Sequence, residues 1–238
     1  MEDQQTFKSY TLLQFQSFIQ SISINRKITH IQIHHTWKPR KIDYRGEATI
    51  VGMWRYHTQT RGWHDIGQHF SVAPDGLIWD GRSLESDPAG ISGHNKGGVM
   101  FEIIGNFDKG EEQLEGKQLE AIIGAVRLII SKFNLKLDNI IFHREYSSKT
   151  CPGTGITKDW FLEQVKAGRA SLPDSQGFID SPKWKKDYID WFYQEGLLSS
   201  EEWKKDIEAS LPLWAEALVI KRFYRKYLQS SNELITRK

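Results

Sequence analysis

Apolar residues recur at helical spacing through residues 10–21, YTLLQFQSFIQS, and predict a short helix near the start of the chain. The period then changes. In THIQIHHTW apolar and polar residues alternate and isoleucine is frequent, which predicts a strand over 29–36. Helical offsets return at Ile50, Val51, Trp54 and His57, in a segment, 47–60, that stops at Arg61-Gly62. GQHFSVAPDGLIWDGR reads as a hairpin turning at Pro74-Asp75-Gly76. Residues 99–107, VMFEIIGNF, form a nearly continuous apolar run, as a central strand requires. Residues 118–133 carry a long apolar face (Leu119, Ile122, Ile123, Val126, Ile129, Ile130) and predict a helix. A buried strand over 139–143 leads into a loop through Cys151-Pro152-Gly153, and Thr157 caps a helix that runs to about Val165.

Strands and helices interleave, so the expected class is α/β, with a single mixed central sheet flanked by helices. Beyond this body the pattern changes. Residues 168–180 are rich in Gly, Ser, Pro, Asp and Gln, a linker composition. After them only helical patterning remains. Pro182 stands in the first turn of one helix, which Gly196 ends. Ser199-Ser200-Glu201-Glu202 opens a second, and Leu211-Pro212 opens a third containing Trp214, Leu218 and Phe223. The expected organisation is a body over 1–167, a linker over 168–180 and a small all-α domain over 181–238.

Composition narrows the classes. The 238 residues suffice for one ordinary domain and a small second one. With 39% hydrophobic and 26% charged residues the balance is globular, and a net charge of +2 provides no field that would favour nucleic acid. No apolar run approaches the roughly 18 residues of a membrane span. Neither nucleic acid nor a membrane span is therefore expected. The opening MEDQQTFKSYTLLQF lacks the basic start and apolar centre of a secretory signal, so a signal peptide is not expected either. Four of the nine tryptophans, Trp184, Trp191, Trp203 and Trp214, lie in the last quarter. They predict either a separate core for the tail or an aromatic surface offered to a partner.

The candidate chemistry gathers at predicted strand ends. His34 and His35 close the first strand, His143 closes the last, and Cys151 follows eight positions later. Imidazole and thiolate are the donors zinc favours, and a catalytic site uses three of them. Singly, each residue has an ordinary explanation: a strand histidine is usually a satisfied core or surface group, and a lone cysteine a small buried hydrophobe. KTCPG tips the balance for Cys151, because Pro, Gly and the nearby Lys149 place it in an irregular polar loop. Glu102 is a carboxylate inside an apolar strand, where one seldom belongs for packing alone. It is a charge on a solvated face, a buried ion-pair partner or a working base.

Four segments in fixed order, IQIHHTW, RGWHDIGQHFSVAPDG, GHNKGGVMFEIIGNFD and FHREYSSKTCPG, make the chain from about 28 to 165 resemble the type 2 N-acetylmuramoyl-L-alanine amidases. That family includes amidase-type phage lysozymes and animal peptidoglycan recognition proteins. The resemblance implies a zinc cofactor held by His34, His143 and Cys151, with His35 a neighbour. It implies that Glu102 is the general base and that Lys149 stabilises the oxyanion. The reaction implied is hydrolysis of the amide between N-acetylmuramic acid and L-alanine, with peptidoglycan as partner. Gln68, His69, His94 and Asn95 would lie around the cleft, each in contact with substrate or in a structural hydrogen bond, and the same alternatives hold for His64 and Asp65. One departure stands out. Gln68 occupies the place where many relatives have a tyrosine that helps in catalysis, and a neutral amide can only hydrogen-bond. The run Asp108-Lys109-Gly110-Glu111-Glu112 is expected to be a solvated loop.

Two other functions compete. A recognition module of the same fold would hold peptidoglycan without cutting it, but loss of activity usually shows as a replaced ligand, and all three are present. A structural zinc protein for nucleic acid would have four closely spaced ligands, which this chain lacks. For the tail, a wall-binding module, a homodimer through the C-terminal helices and a plain helical core all remain open. Without a secretory signal, the expected setting is an endolysin or autolysin. It would be made in the cytoplasm and reach the wall through a holin or on lysis; a wall-recycling amidase is the other reading.

Overall fold

A computed structural model of the chain describes residues 5–167, 183–198 and 213–224. The expected linker 168–180, Pro182, the helix start at Ser199-Ser200-Glu201-Glu202, Leu211-Pro212, and the side chains of Trp184, Trp203 and Trp214 lie outside the described residues. The chain divides into two compact units, Met1–Leu172 and Pro173–Lys238.

The first unit is built on one six-stranded mixed sheet: β1 (Ser9–Tyr10), β2 (His30–His35), β3 (Phe70–Val72), β4 (Ile78–Asp80), β5 (Gly98–Ile103) and β6 (Ile140–Phe142). Their order is β1-β4-β3-β5-β2-β6. β3, β5, β2 and β6 are mutually parallel, while β4 and β1 close one edge antiparallel. The hairpin β3–β4 turns where expected, at Gly76, whose φ of 89° suits a residue without a Cβ.

Alternation in β2 sends Ile31 and Ile33 to one face and His30, Gln32 and His34 to the other. The apolar face packs under α1 (Leu12–Ser21), α3 (Gly116–Phe133) and α4 (Lys158–Ala167), where Phe15, Ile122, Ile129 and Phe161 join Ile33 and Phe101 in one core. Each such side chain, fully buried, contributes roughly 1.5–3 kcal/mol. The start of α1 is set by a capping box: Gln14 N–H donates to Thr11 Oγ1 and Thr11 N–H to Gln14 Oε1. Thr157 caps α4 through Trp160 N–H at 3.2 Å. The polar face is covered only in part, by α2 (Glu47–Arg55) and its continuation Tyr56–Thr60, which bury Ile50 and Met53 against Ile66 and Trp79.

Two boundaries differ from expectation. β5 stops at Ile103, not at 107. Beyond it the hydroxyl of Thr36 accepts Gly105 N–H at 2.8 Å, replacing a strand partner and turning the chain. β1 was not expected, since its two residues give no period to read; it exists because Lys8 N–H and Asp80 bond across to β4.

In the second unit, α5 (Lys183–Gln194) ends at Gly196 as predicted. Gly196 N–H reaches Tyr193 O and Leu197 N–H reaches Phe192 O, a Schellman closure that needs the glycine's φ of 67°. A further helix, α6, spans Leu213–Phe223. Among the described residues no helix is long and apolar enough to cross a membrane.

Candidate active site

The parallel strands deliver their carboxyl ends to one edge of the sheet, the place where α/β folds bind ligands. His34 lies near the end of β2 and is paired in register with Glu102 of β5, which is paired in turn with Ser71 of β3. Paired residues share a face, so these three form a row across the polar side. β6 ends at Phe142, and the next residue, His143, starts a tight turn that brings its ring to 4.6 Å from the ring of His34. Cys151 completes the group, with Sγ 3.6 Å from His34 Nδ1. The donor atoms of His34, His143 and Cys151 all lie within 4.8 Å of one another, and all three residues are buried.

The cysteine loop is held by a residue that the motifs did not single out. Arg144 N–H donates to Cys151 O at 2.8 Å, and the Arg144 guanidinium donates to Gly153 O and Ile156 O at 2.7 and 2.5 Å. Gly153 has φ 111°, and a Cβ there would meet the Phe107 carbonyl at 2.5 Å, so the CPG turn admits only glycine. The acidic run 108–112 is the expected loop, with Lys109, Gly110 and Glu111 exposed, but the carboxylates at its two ends are engaged. Asp108 accepts Thr154 N–H and the Thr150 hydroxyl at 2.9 and 3.1 Å. Glu112 accepts the N–H groups of Asn106 and Lys41. Their carboxylates find backbone donors that solvent would otherwise satisfy, and this ties the run to the cysteine loop.

His35 takes a different post. Its Nδ1 accepts Phe107 N–H at 3.2 Å, and its own N–H donates to Cys151 Sγ at 3.3 Å. Burial brings its pKa down to about 4.

Burial, with Lys149 next, lowers His143 to about 4. His34 falls well below its ordinary value through burial, then His143 and Lys149. Both rings are therefore neutral near pH 7, with lone pairs available. Burial and the charge of Glu102 push the Cys151 thiol up. The donor set fits zinc. Two imidazoles and one thiolate are a catalytic zinc shell with one position left over, and ligands about 2.1 and 2.3 Å from a tetrahedral ion stand roughly 3.6 Å apart. That is the His34–Cys151 separation found here. His34 Nε2, on the other side of the ring, is buried without a hydrogen-bond partner.

The triad opens into a cleft of about 810 Å³ that also takes in Glu102, Lys149, Trp37, His57 and Trp63. A connected cavity of about 460 Å³ shares Glu102 and His57 and continues to Arg45. Burial raises the Glu102 carboxyl to about 8, against the pull of Lys149. The cleft wall formed by His57 stacked on Trp63, with centroids 4.7 Å apart, was not foreseen; its signal was the aromatic residue directly after the Arg61-Gly62 stop.

Four residues expected around the cleft are engaged within the protein. Gln68 is fully buried and donates to Ser71 Oγ at 2.9 Å, behind the Glu102 row. His69 is fully buried, with Nδ1 accepting Met100 N–H and Nε2 beside Ser86 O. Asn95 Oδ1 accepts the N–H groups of Gly90 and Ile91, and the exposed His94 ring lies against Tyr146 at 3.8 Å. None of the four borders the cleft, because each is turned to a protein partner. His64 is exposed and Asp65 binds Ile66 N–H, both away from it.

Residues 24–154 match the model of a family described as N-acetylmuramoyl-L-alanine amidase. A human protein of that name is 30% identical over 135 residues, covering 53% of this chain and 22% of the human one. Peptidoglycan-recognition protein SC1a of Drosophila melanogaster is 25% identical over 139 residues, covering 57% of this chain and 74% of its own. The chain thus spans under a quarter of the human relative's length. Among solved structures, N-acetylmuramoyl-L-alanine amidase LysC from Clostridium intestinale superposes with a TM-score of 0.51 at 24% identity, covering 60% of this chain and 87% of its own, a likeness of fold.

Proposed function

The chain belongs to the N-acetylmuramoyl-L-alanine amidase family, and from that premise we propose that it hydrolyses the amide between N-acetylmuramic acid and L-alanine of peptidoglycan, using zinc held by His34, His143 and Cys151. The observation that carries the proposal is the meeting of those three donors in an open cleft one strand away from Glu102. Zinc held there would supply a Lewis acid that activates water and polarises the scissile carbonyl.

The remaining work falls to side chains of the cleft. Glu102 takes a proton from the attacking water and delivers it to the leaving nitrogen, which departs as the free amine of L-alanine while the lactyl group becomes a carboxylate. Burial favours the protonated form that holds the proton between the two steps, and a cation at the triad would favour the ionised form that starts the reaction. Lys149, exposed and lining the cleft, is the ammonium that would stabilise the oxyanion. His57, Trp63 and Trp37 offer aromatic faces for the flat sides of sugar or peptide groups. A bacteriolytic setting, reached through a holin or on lysis, belongs to the same proposal. So does the division into a catalytic part over 1–167, a linker and a helical tail that binds wall or dimerises.

Mass spectrometry of purified peptidoglycan after digestion tests the reading. New L-alanine amino termini, lost on treatment with a chelator, are expected. Peptidoglycan that is bound and pulled down but left uncut would instead mark a recognition module, the reading that the likeness to the recognition protein favours.

A further inference from the structure

Two buried polar atoms on the cleft face of β2 have no hydrogen-bond partner, Gln32 Oε1 and His34 Nε2. They border the same small space. A Cβ on Gly90 would lie 2.5 Å from Gln32 Oε1 and 3.0 Å from His34 Nε2, so both atoms face the Gly90 backbone from one side. Residues two apart on a strand share a face, which is why the two side chains meet at all.

The Gln32 amide is held in one orientation. Its nitrogen donates to His94 O at 2.7 Å, and because a carbonyl only accepts, the end toward His94 must be the NH2 group. That leaves Oε1 directed to the Gly90 side. His94 is held in its turn: Asn95 Oδ1 gathers the N–H groups of Gly90 and Ile91, and His94 N–H reaches Ile91 O at 2.9 Å. The loop over 90–95 is thus folded back on the sheet, with its glycine over the two atoms and its His94 carbonyl on the glutamine.

At the other edge of the imidazole, Nδ1 faces Cys151 Sγ. A neutral imidazole that presents its Nδ1 lone pair carries its hydrogen on Nε2, and a metal-binding histidine ordinarily gives that second N–H to an oxygen acceptor. Gln32 Oε1 is a buried acceptor and His34 Nε2 a buried ring nitrogen; both border the space at Gly90, and no hydrogen bond joins them in this structure. We propose that Gln32 is the positioning residue for the metal ligand His34. When zinc takes Nδ1, a small turn of the ring closes a hydrogen bond from His34 Nε2–H to the Gln32 carbonyl and fixes that tautomer, while the His94–Asn95 loop holds the glutamine in place. The proposal rests on the zinc reading above, and it gives His94 and Asn95 a role although neither reaches the cleft.

The experiment uses the full chain. Zinc affinity is measured by chelator competition for wild type and Gln32→Leu, together with metal-free melting curves, and the ring nitrogens of His34 are read by 15N NMR with and without zinc. One zinc per wild-type chain is expected, with a roughly 10- to 100-fold weaker site in Gln32→Leu at an unchanged metal-free melting temperature. His34 should carry its proton on Nε2 in wild type and populate both tautomers in Gln32→Leu. Equal zinc affinity in a folded Gln32→Leu, or a proton on Nδ1 of His34 in wild type, overturns the role. Should Gln32→Leu not fold, the wild-type tautomer decides by itself. A wild-type chain that binds no zinc defeats the metal reading, whereas the His34 tautomer of the metal-free chain still reports on Gln32, so the two failures are told apart.

Discussion

His34 Nδ1 and Cys151 Sγ stand 3.6 Å apart although 117 residues separate them in the chain. With His143 they form a donor set that none of the three could make alone. Cys151→Ala and His143→Ala are therefore each expected to abolish stoichiometric zinc and wall hydrolysis, while His35→Ala, whose ring serves Phe107 N–H, keeps the metal. Atomic absorption on the purified variants checks this; zinc retained by Cys151→Ala would remove the thiolate from the site.

Glu102→Gln preserves the shape of the row shared with His34 and Ser71 but removes the proton carrier. Turnover is expected to fall by about 100-fold or more with zinc content and melting temperature little changed. A variant cutting at near wild-type rate assigns the base elsewhere in the cleft.

The Arg144 guanidinium lashes the cysteine loop through the carbonyls of Thr150, Gly153 and Ile156. Arg144→Ala should leave the core folded and loosen Cys151, which reads out as weaker zinc binding before any loss of helical circular dichroism. Loss of fold in step with loss of metal would instead make the arginine a part of the general scaffold.

Burial holds His69 at about 3, below its ordinary 6.5. As pH falls the unfolded chain takes up this proton first. The stabilising contribution is thus complete above about pH 6.5 and is lost as pH falls toward 3. In metal-free protein, the drop in melting temperature from pH 7 to pH 5 is expected to be smaller in His69→Gln than in wild type. Identical slopes would show that His69 is not among the groups responsible.

The first compact unit ends at Leu172. A chain of residues 1–172 should melt cooperatively and hydrolyse soluble muropeptides at the full-length rate, while losing activity on intact walls if the tail tethers the enzyme to polymer. Insoluble or non-cooperative material would show that the tail completes the core.

Much of this was legible beforehand, and the reason differs by element. β2 and α3 announce themselves because burial imposes a period of two or of about 3.6 on their own residues. The donor set was reachable because His, Cys, Lys and Glu carry chemistry whatever surrounds them. What stayed hidden depends on distant partners. Gln32 looked like one more polar position in an alternating strand, and only the loop over 90–95 makes it part of the site. Arg144 drew no notice because its acceptors are backbone carbonyls, which every residue has. For His69 the motif leaves substrate contact and a structural role both open, because whether a side chain turns inward is settled by packing that local sequence does not record.

The interleaved strand order has a kinetic side. β2 is third from the start by element yet sits between β5 and β6, so His34 meets Glu102 and His143 only after strands more than 60 residues apart in the chain have paired. Such pairings have high contact order and form slowly. An unfolded chain has no preassembled site, so a zinc ion held by the finished sheet would stabilise the whole sheet by mass action, and the melting temperature should rise with free zinc.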